Sequence, residues 1–276
     1  MNSNVDSKLI ENFGYEWSKF DQTLFPPAEL KERFMQYFHL FPWEFLPAGA
    51  VGFDLGCGTG RWAKLAADKV GVLHCIDASE TVLKIARKNL KDKKNCQYHL
   101  GSMEDVPLSN NSMDFGFSIG VLHHVPKPFD TLKSCVEKLK PEAPFLMYVY
   151  YRFDNRPLWF RFLWKISDIF RRCISQFPHT LKYWTTQLIA VLVYYPSARL
   201  AWVFEKMGFK VEGMLLSSYR GSSFYTMRTD ALDRFGTRLE HRFTRDEIKQ
   251  MMQDAGLERI AFNESPPYWC ALGFKI

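Results

Sequence analysis

Ligand spacing for a zinc ion is missing from this chain. Its six cysteines (Cys57, Cys75, Cys96, Cys135, Cys173 and Cys270) are scattered, with no CxxC pair and no Cys/His set. Reduced thiols in a cytoplasmic protein are the expectation. The first residues, Met1 to Asp6, carry no apolar signal core. The longest apolar run, Leu188 to Tyr195, is too short to span a bilayer. Net charge is only +6, too weak a basic excess to argue for nucleic acid, and none is expected as a partner. No G-x-x-x-x-G-K-[ST] segment cradles a nucleoside triphosphate, and no G-x-G-x-x-G opens a dinucleotide fold. No internal repeat or low-complexity segment stands out.

What is present is a chain of 276 residues, enough for one or two domains with a real core. Apolar content of 47% and charged content of 24% fit a soluble globular protein. Aromatic content is high at 16%, concentrated near the N-terminus and between Tyr148 and Tyr195. Residues 49–151 alternate apolar strands with helices, which implies a parallel sheet covered on both faces. The expected strands are Val51–Leu55, Gly71–Asp77, Cys96–Leu100, Asp114–Gly120 and Phe145–Tyr150. Helices are expected from Ala63 to Lys69, from Ser79, a candidate N-cap, to Asn89, and from Pro128 to Leu139. The run Lys84, Arg87, Lys88, Lys91, Lys93, Lys94 is expected as a solvated helix face and exit, with a phosphate patch as the alternative.

Residues 1–48 form an extension. Its aromatic stretch Phe13–Phe20 either packs or caps a ligand through Tyr15 and Trp17, since a sulfonium or other cation favours an aromatic face. A helix from Ala28 to Phe41, with Leu30, Phe34, Tyr37, Phe38 and Phe41 at helical spacing, is expected to pack on the sheet edge. Residues 152–215 are helical, apolar and basic, with Leu188–Val193 expected to be fully buried. They read as a helical cap with its own core, as a lid over an apolar substrate, or as a peripheral contact with an anionic membrane. Residues 216–276 follow. Ser217–Asp230 is expected to be an arginine-rich loop, and Tyr219, Arg220, Tyr225, Arg228 and Arg234 are candidate substrate contacts. Thr244–Glu247 reads as a capping box opening a helix to Ala255, with Gly256 at its end. Glu258–Asn263 and Trp269–Phe274 are expected to close the sheet as a hairpin.

The chemistry concentrates in Asp54-Leu55-Gly56-Cys57-Gly58-Thr59-Gly60. Glycines at every second position suit a tight turn that lets a ligand approach the backbone, with a helix start behind it. An acid in front of that turn repels a pyrophosphate and suits an ammonium group. A second acid, Asp77, ends the next strand, about where an acid takes ribose hydroxyls. A ribose-containing ligand with a cationic amino-acid end satisfies both, and S-adenosylmethionine is such a ligand.

These residues resemble class I S-adenosylmethionine-dependent methyltransferases over about residues 50–150, of the broad type that includes the ubiquinone/menaquinone methyltransferases. The likeness rests on the D-L-G-C-G-T-G loop, Ile76-Asp77-Ala78-Ser79, Gly101-Ser102-Met103-Glu104-Asp105-Val106-Pro107 and Gly120-Val121-Leu122-His123-His124-Val125. It implies a Rossmann-like, doubly wound α/β fold. The sheet would be mostly parallel and seven-stranded, with a C-terminal antiparallel hairpin, and 152–215 would be an inserted lid. Asp54, Gly56, Cys57, Gly58 and Gly60 would hold the methionine end, and Asp77 with Ala78 the ribose. Ser102, Met103 and Glu104 would flank the adenine, where the family often places an acid at the Ser102 position. Gly120 and Val121 would lie beside the sulfonium. Outside the core, the F-G-Y-E-W opening and the D-A-L-D-R-F-G-T…T-x-x-E close look like methyltransferases found with bacterial glycan and secondary-metabolite genes.

Three functions follow as expectations. The first is methyl transfer to a small-molecule or glycan hydroxyl, with His124 and then His123 as candidate bases, either of which otherwise packs or caps. The second is a membrane-associated methyltransferase of a lipid or lipid-linked acceptor. The third is cofactor binding without catalysis.

Overall fold

Strands of five or six residues alternate with helices through the middle of the chain, and two more strands close it. The computed structural model describes residues 7–101 and 106–276. In chain order the elements begin with α1 (Ser7–Lys19), α2 (Pro27–Phe38), β1 (Val51–Leu55), α3 (Ala63–Ala66), β2 (Val72–Asp77), α4 (Glu80–Asn89) and β3 (Cys96–Leu100). They continue with β4 (Phe115–Ile119), α5 (Pro128–Lys138), β5 (Pro144–Tyr148), α6 (Leu158–Ile174), α7 (His179–Ile189) and α8 (Tyr195–Lys206). The last are α9 (Phe224–Gly236), α10 (Arg245–Asp254), β6 (Leu257–Phe262) and β7 (Ala271–Lys275). The chain divides into two units. One runs through Gln22 and then takes Lys31–Asn155 and Leu239–Ile276; the other comprises Thr23–Leu30 and Arg156–Arg238.

The first unit holds one seven-stranded sheet of order β3-β2-β1-β4-β5-β7-β6. Strands β1 to β5 pair in parallel, and β7 runs antiparallel to both β5 and β6. The expected Rossmann-like sheet with a C-terminal hairpin is therefore present. Strand order reverses between β1 and β4, and a crevice opens at the carboxyl ends of strands at such a reversal. Ser118 Oγ donates to the Leu55 carbonyl at 3.0 Å and pins the two strand ends together.

Side chains alternate across the strands, so each face has its own cover. Phe53, Leu55, Phe145 and Met147 face Leu132 and Val136 of α5 and Ile248 and Met252 of α10 in one buried core. Phe115 and Phe117 face the aromatic stripe of α2 and the turn after it. Phe38 lies 5.0 Å from Phe117 and Phe41 5.9 Å from Phe115, between ring centroids. That helix thus covers a sheet face rather than an edge. Two glycines let the strands approach. A Cβ on Gly52 would lie 2.3 Å from the Phe115 ring, and one on Gly116 2.5 Å from the Phe53 ring.

The second unit is helical. The segment Ala190–Tyr194 is a π-helical turn that joins α7 to α8 without a break. Both α6 and α7 pack on α9 around a small core of Ile174, Ala190, Tyr194, Met227, Ala231 and Phe235. Two expectations are corrected here. Much of the stretch expected as a loop is helix α9, begun by Ser223, whose hydroxyl accepts from the Thr226 N–H. Met227, Ala231 and Phe235 recur at helical spacing on its buried face, and the polar residues between them obscure that pattern in the sequence. The segment Leu188–Val193 is not fully buried: only Ala190 is, while Leu192 is 63% exposed. The second unit runs to Arg238.

Candidate functional site

The glycine loop leaves β1 at the crevice. Backbone N–H groups of Gly56 and Cys57 both donate to the Ile76 carbonyl, at 2.8 and 2.9 Å, and tie the loop to β2. Gly56 has φ +72°, and a Cβ there would lie 2.4 Å from Val121 Cγ2, so both backbone and space demand glycine. Asp77 organises the other side. Its carboxylate accepts from the Gly58 N–H at 3.0 Å and the Ser79 N–H at 2.9 Å. Burial pushes its pKa up to about 6, against the lowering effect of the Ser79, Gly58 and Ala78 N–H groups.

Asp54 is the second acid, 1% exposed. Neither carboxylate oxygen has a hydrogen-bond partner among the described residues. Burial first, then Asp77 and Cys96, raises its pKa well above the usual carboxylate range. A polar group left this way costs about 1–3 kcal/mol, which a cationic ligand group would offset. Cys57 beside it is buried; its contact with Cys75 pulls the pKa down, but burial and the two carboxylates outweigh this and bring it to about 11. It is an inert thiol at neutral pH.

Helix α1 lies against this loop. A Cβ on Gly14 would sit 3.5 Å from Ser79 Oγ, and Trp17 Nε1 would be 4.0 Å from one on Gly58. Phe13 reaches the His124 ring at 5.2 Å. The Tyr15 ring instead receives Lys19 of the same helix, 5.4 Å from its centroid. Asn89 fastens the arrangement: its Nδ2 donates to the Asp21 carbonyl at 2.8 Å and to the Thr59 carbonyl at 3.0 Å. No sequence pattern marked Asn89, because its two partners are remote in the chain.

At the end of β4, Gly120 has φ +81° and open space where a side chain would be. Val121 leads into a short 3-10 turn, Leu122–His124. The two histidines differ. His124 Nδ1 lies 2.8 Å from the Leu239 carbonyl, which only accepts, so Nδ1 carries a proton and Nε2 is the ring nitrogen left to accept one. His123 is fully buried and stacked on Tyr150, with centroids 3.8 Å apart. Burial, then His124, Arg242 and His241, lowers its pKa well below 6.5, so it is neutral.

Tyr37, Tyr148 and Tyr150 extend this aromatic wall along the end of β5, with Tyr37 to Tyr148 at 5.0 Å and Tyr148 to Tyr150 at 6.3 Å. Arg242 stands 5.0 Å over Tyr150 and pairs with buried Glu240 at 2.7 Å. Of these, only the alternation Tyr148-Val149-Tyr150 could be read in the sequence.

The remaining candidates lie elsewhere. Ser102, Met103 and Glu104 fall outside the described residues. In the second unit, Arg220 pairs with Glu205 at 2.8 Å, and Arg228 binds Gln187 at 2.5 Å and the Tyr183 hydroxyl at 2.9 Å. Arg234 reaches Ser167 at 3.2 Å. Tyr219 packs on Tyr194 at 5.2 Å, and Tyr225 on Phe25 at 6.4 Å. The three arginines thus reach three different helices, α8, α7 and α6, and bind them to the rest of that unit.

The residues at the crevice fit S-adenosylmethionine. A buried unpartnered carboxylate awaits a cation, an acid on β2 awaits a ribose, and Gly58 and Gly120 leave backbone open. Among the described residues no group of His, Cys, Asp and Glu is arranged to hold a metal ion.

Comparison with known proteins agrees. A methyltransferase domain family matches residues 53–147. A ubiquinone biosynthesis O-methyltransferase of Thiobacillus denitrificans is 34% identical over 96 residues, 34% of this chain and 41% of that protein. Phosphoethanolamine N-methyltransferase 2 of Caenorhabditis elegans is 31% identical over 110 residues, 39% of this chain and 25% of that one. The chain spans less than half the length of these curated relatives. A chain of the solved complex between the Haloferax volcanii Trm112 methyltransferase activator and a methyltransferase shares the fold, with a TM-score of 0.51 and 14% identity over 96% of this chain and 97% of that one. Loop, acids and family match coincide on the same residues: residues 53–147 form a methyltransferase domain of the class I S-adenosylmethionine-dependent type.

Proposed function

We propose that the chain transfers the methyl group of S-adenosylmethionine to a hydroxyl oxygen of a small-molecule or glycan acceptor. The observation that carries this reading is the proton inventory of His124. Its Nδ1–H is committed to the Leu239 carbonyl, so Nε2 is the nitrogen that can take a proton, on a ring carried by the turn Leu122–His124 that follows β4. A hydroxyl must lose its proton as it attacks, whereas a neutral amine attacks without a base. The aromatic wall of Phe13, Tyr148 and Tyr150 suits a flat ring or the apolar face of a sugar.

In this reading Asp54 holds the amino-acid ammonium and Asp77 the ribose hydroxyls. The glycine loop, held in shape by its own N–H bonds to Ile76 and Asp77, and α1 flank the donor. The bound donor supplies an activated methyl with a neutral sulfide as leaving group. Alignment for in-line attack supplies on the order of 7–11 kcal/mol of barrier lowering. His124 takes the hydroxyl proton onto Nε2.

The test is release of S-adenosylhomocysteine over a panel of phenols, sugars and amines. Hydroxyl acceptors are expected to turn over, and His124→Ala to lower kcat by about 100-fold or more while donor affinity stays within about twofold. Turnover on amines alone, or undiminished turnover by His124→Ala, would overturn the assignment.

A further inference from the structure

Two helices of the second unit, α6 and the continuous α7–α8 helix, turn large apolar residues outward. On α6 the large apolar residues Leu158, Phe162, Leu163, Ile166, Ile169 and Phe170 recur on one stripe at helical spacing, and all are exposed. The opposite, inward side buries Ile174 together with two charged residues, Asp168 and Arg171. Arg171 is buried and donates to Asp168 at 2.7 Å and to the Thr237 carbonyl at 3.0 Å.

The continuous helix formed by α7 and α8 repeats the pattern. Leu181, Trp184, Leu188 and Leu192 face outward. Lys182, Thr186, Gln187 and Ala190 face inward and are buried. Large exposed apolar faces of this kind mark contact with another phase or partner. Among the described residues His179–Lys206 is long and apolar enough to cross a membrane by length and composition. Its inward side, however, packs on α9 and buries Lys182 and Gln187, which fits a helix lying along an interface.

Charge decides what covers the face. Residues 156–215 contain nine Lys or Arg and three Asp or Glu, an excess equal to the whole chain's net charge of +6. On α6, Arg161, Lys165 and Arg172 run along one flank of the apolar stripe, and Lys165 and Arg172 are exposed. Lys206 stands 5.9 Å over the ring of exposed Trp202, an apolar stem beside an aromatic with its charge at the rim. A second copy of the chain would set one basic face against another. An anionic bilayer accepts both the apolar stripe and its basic border.

We infer that the second unit docks on anionic membrane surfaces, with the outward stripes of α6 and of the α7–α8 helix buried at the headgroup–acyl boundary and the basic flank on the lipid phosphates. This docking stands apart from the methyl-transfer reading, since none of its residues belongs to the crevice.

The experiment is co-sedimentation of the full chain with vesicles of phosphatidylglycerol and phosphatidylcholine (1:1) and of phosphatidylcholine alone, at low and high salt. Binding is expected to the anionic vesicles, weaker by more than tenfold on the neutral ones, and reduced by salt. Lys165→Gln is expected to weaken it about fivefold. The double substitution Phe162→Glu and Ile169→Glu is expected to abolish it, with S-adenosylmethionine affinity unchanged as the control for folding. No binding to either vesicle overturns the inference. So does a dimer at low concentration in gel filtration that the same double substitution splits, because a second copy would then cover the face.

Discussion

Asparagine at position 54 keeps the shape of the side chain and removes its charge, and it should move stability and binding in opposite directions. The unfolded chain ionises an ordinary aspartate near 3.8. In the fold, burial with Asp77 nearby raises the Asp54 value well above that. Between the two values the unfolded state has lost a proton that the fold retains. Stability therefore falls as pH rises through this window, by about 1.4 kcal/mol per pH unit. Asparagine has no proton to lose, so Asp54→Asn lacks that slope. Near pH 4 the two proteins should unfold at similar temperatures. Above it the variant should gain on the wild type by roughly 3–6 °C per pH unit until Asp54 ionises. Binding goes the other way. An ammonium held by a carboxylate is worth about 1.5–3 kcal/mol, so the variant should bind S-adenosylmethionine about 10- to 150-fold more weakly. Differential scanning calorimetry of the cofactor-free protein from pH 4 to 8, with titration calorimetry at pH 7.5, measures both. A variant less stable at every pH with unchanged affinity would refute the reasoning and make Asp54 a structural acid.

Asn89→Ala removes the two hydrogen bonds that join the end of α1 and the glycine loop, and is expected to cost about 1–3 kcal/mol. Limited proteolysis should then cut near Asp21 faster, and S-adenosylmethionine affinity should fall severalfold; unchanged cleavage would mean that α1 is held otherwise. Arg171→Met leaves Asp168 partly buried with Arg172 alone and strips the Thr237 carbonyl of its donor. The second unit is expected to lose about 3–5 kcal/mol, seen as a lowered calorimetric transition, with cofactor affinity in the first unit retained.

The core could be read from sequence because its signals are local. Ser79 caps α4 and Thr244 with Glu247 makes a reciprocal capping box on α10, both as expected from their spacing. The alternating glycines and the two acids likewise sit where strand ends had to put them. Two kinds of feature were not legible. One is the long-range hydrogen bond: the carbonyl that fixes the His124 tautomer belongs to Leu239, 115 residues away. The other is orientation. The run Leu188–Val193 announces apolar surface but says nothing about which phase covers it, so burial inside the protein was the wrong inference. The polar face of α9 hid its period for a related reason: Arg228 and Arg234 serve as internal glue rather than as solvent-facing charges.

The reciprocal fit of β1 and β4 has a consequence of its own. Gly52 receives the Phe115 ring, and Gly116 receives the Phe53 ring, in adjacent register on opposite faces. Each aromatic occupies the volume its neighbour gave up, so neither member of a pair can be enlarged alone. These two strands border the point where strand order reverses. The separation between the donor loop on one and the His124 turn on the other is therefore set by a pair of locks deep in the sheet. Mutations that retune the acceptor side must leave those four positions untouched or change them two at a time.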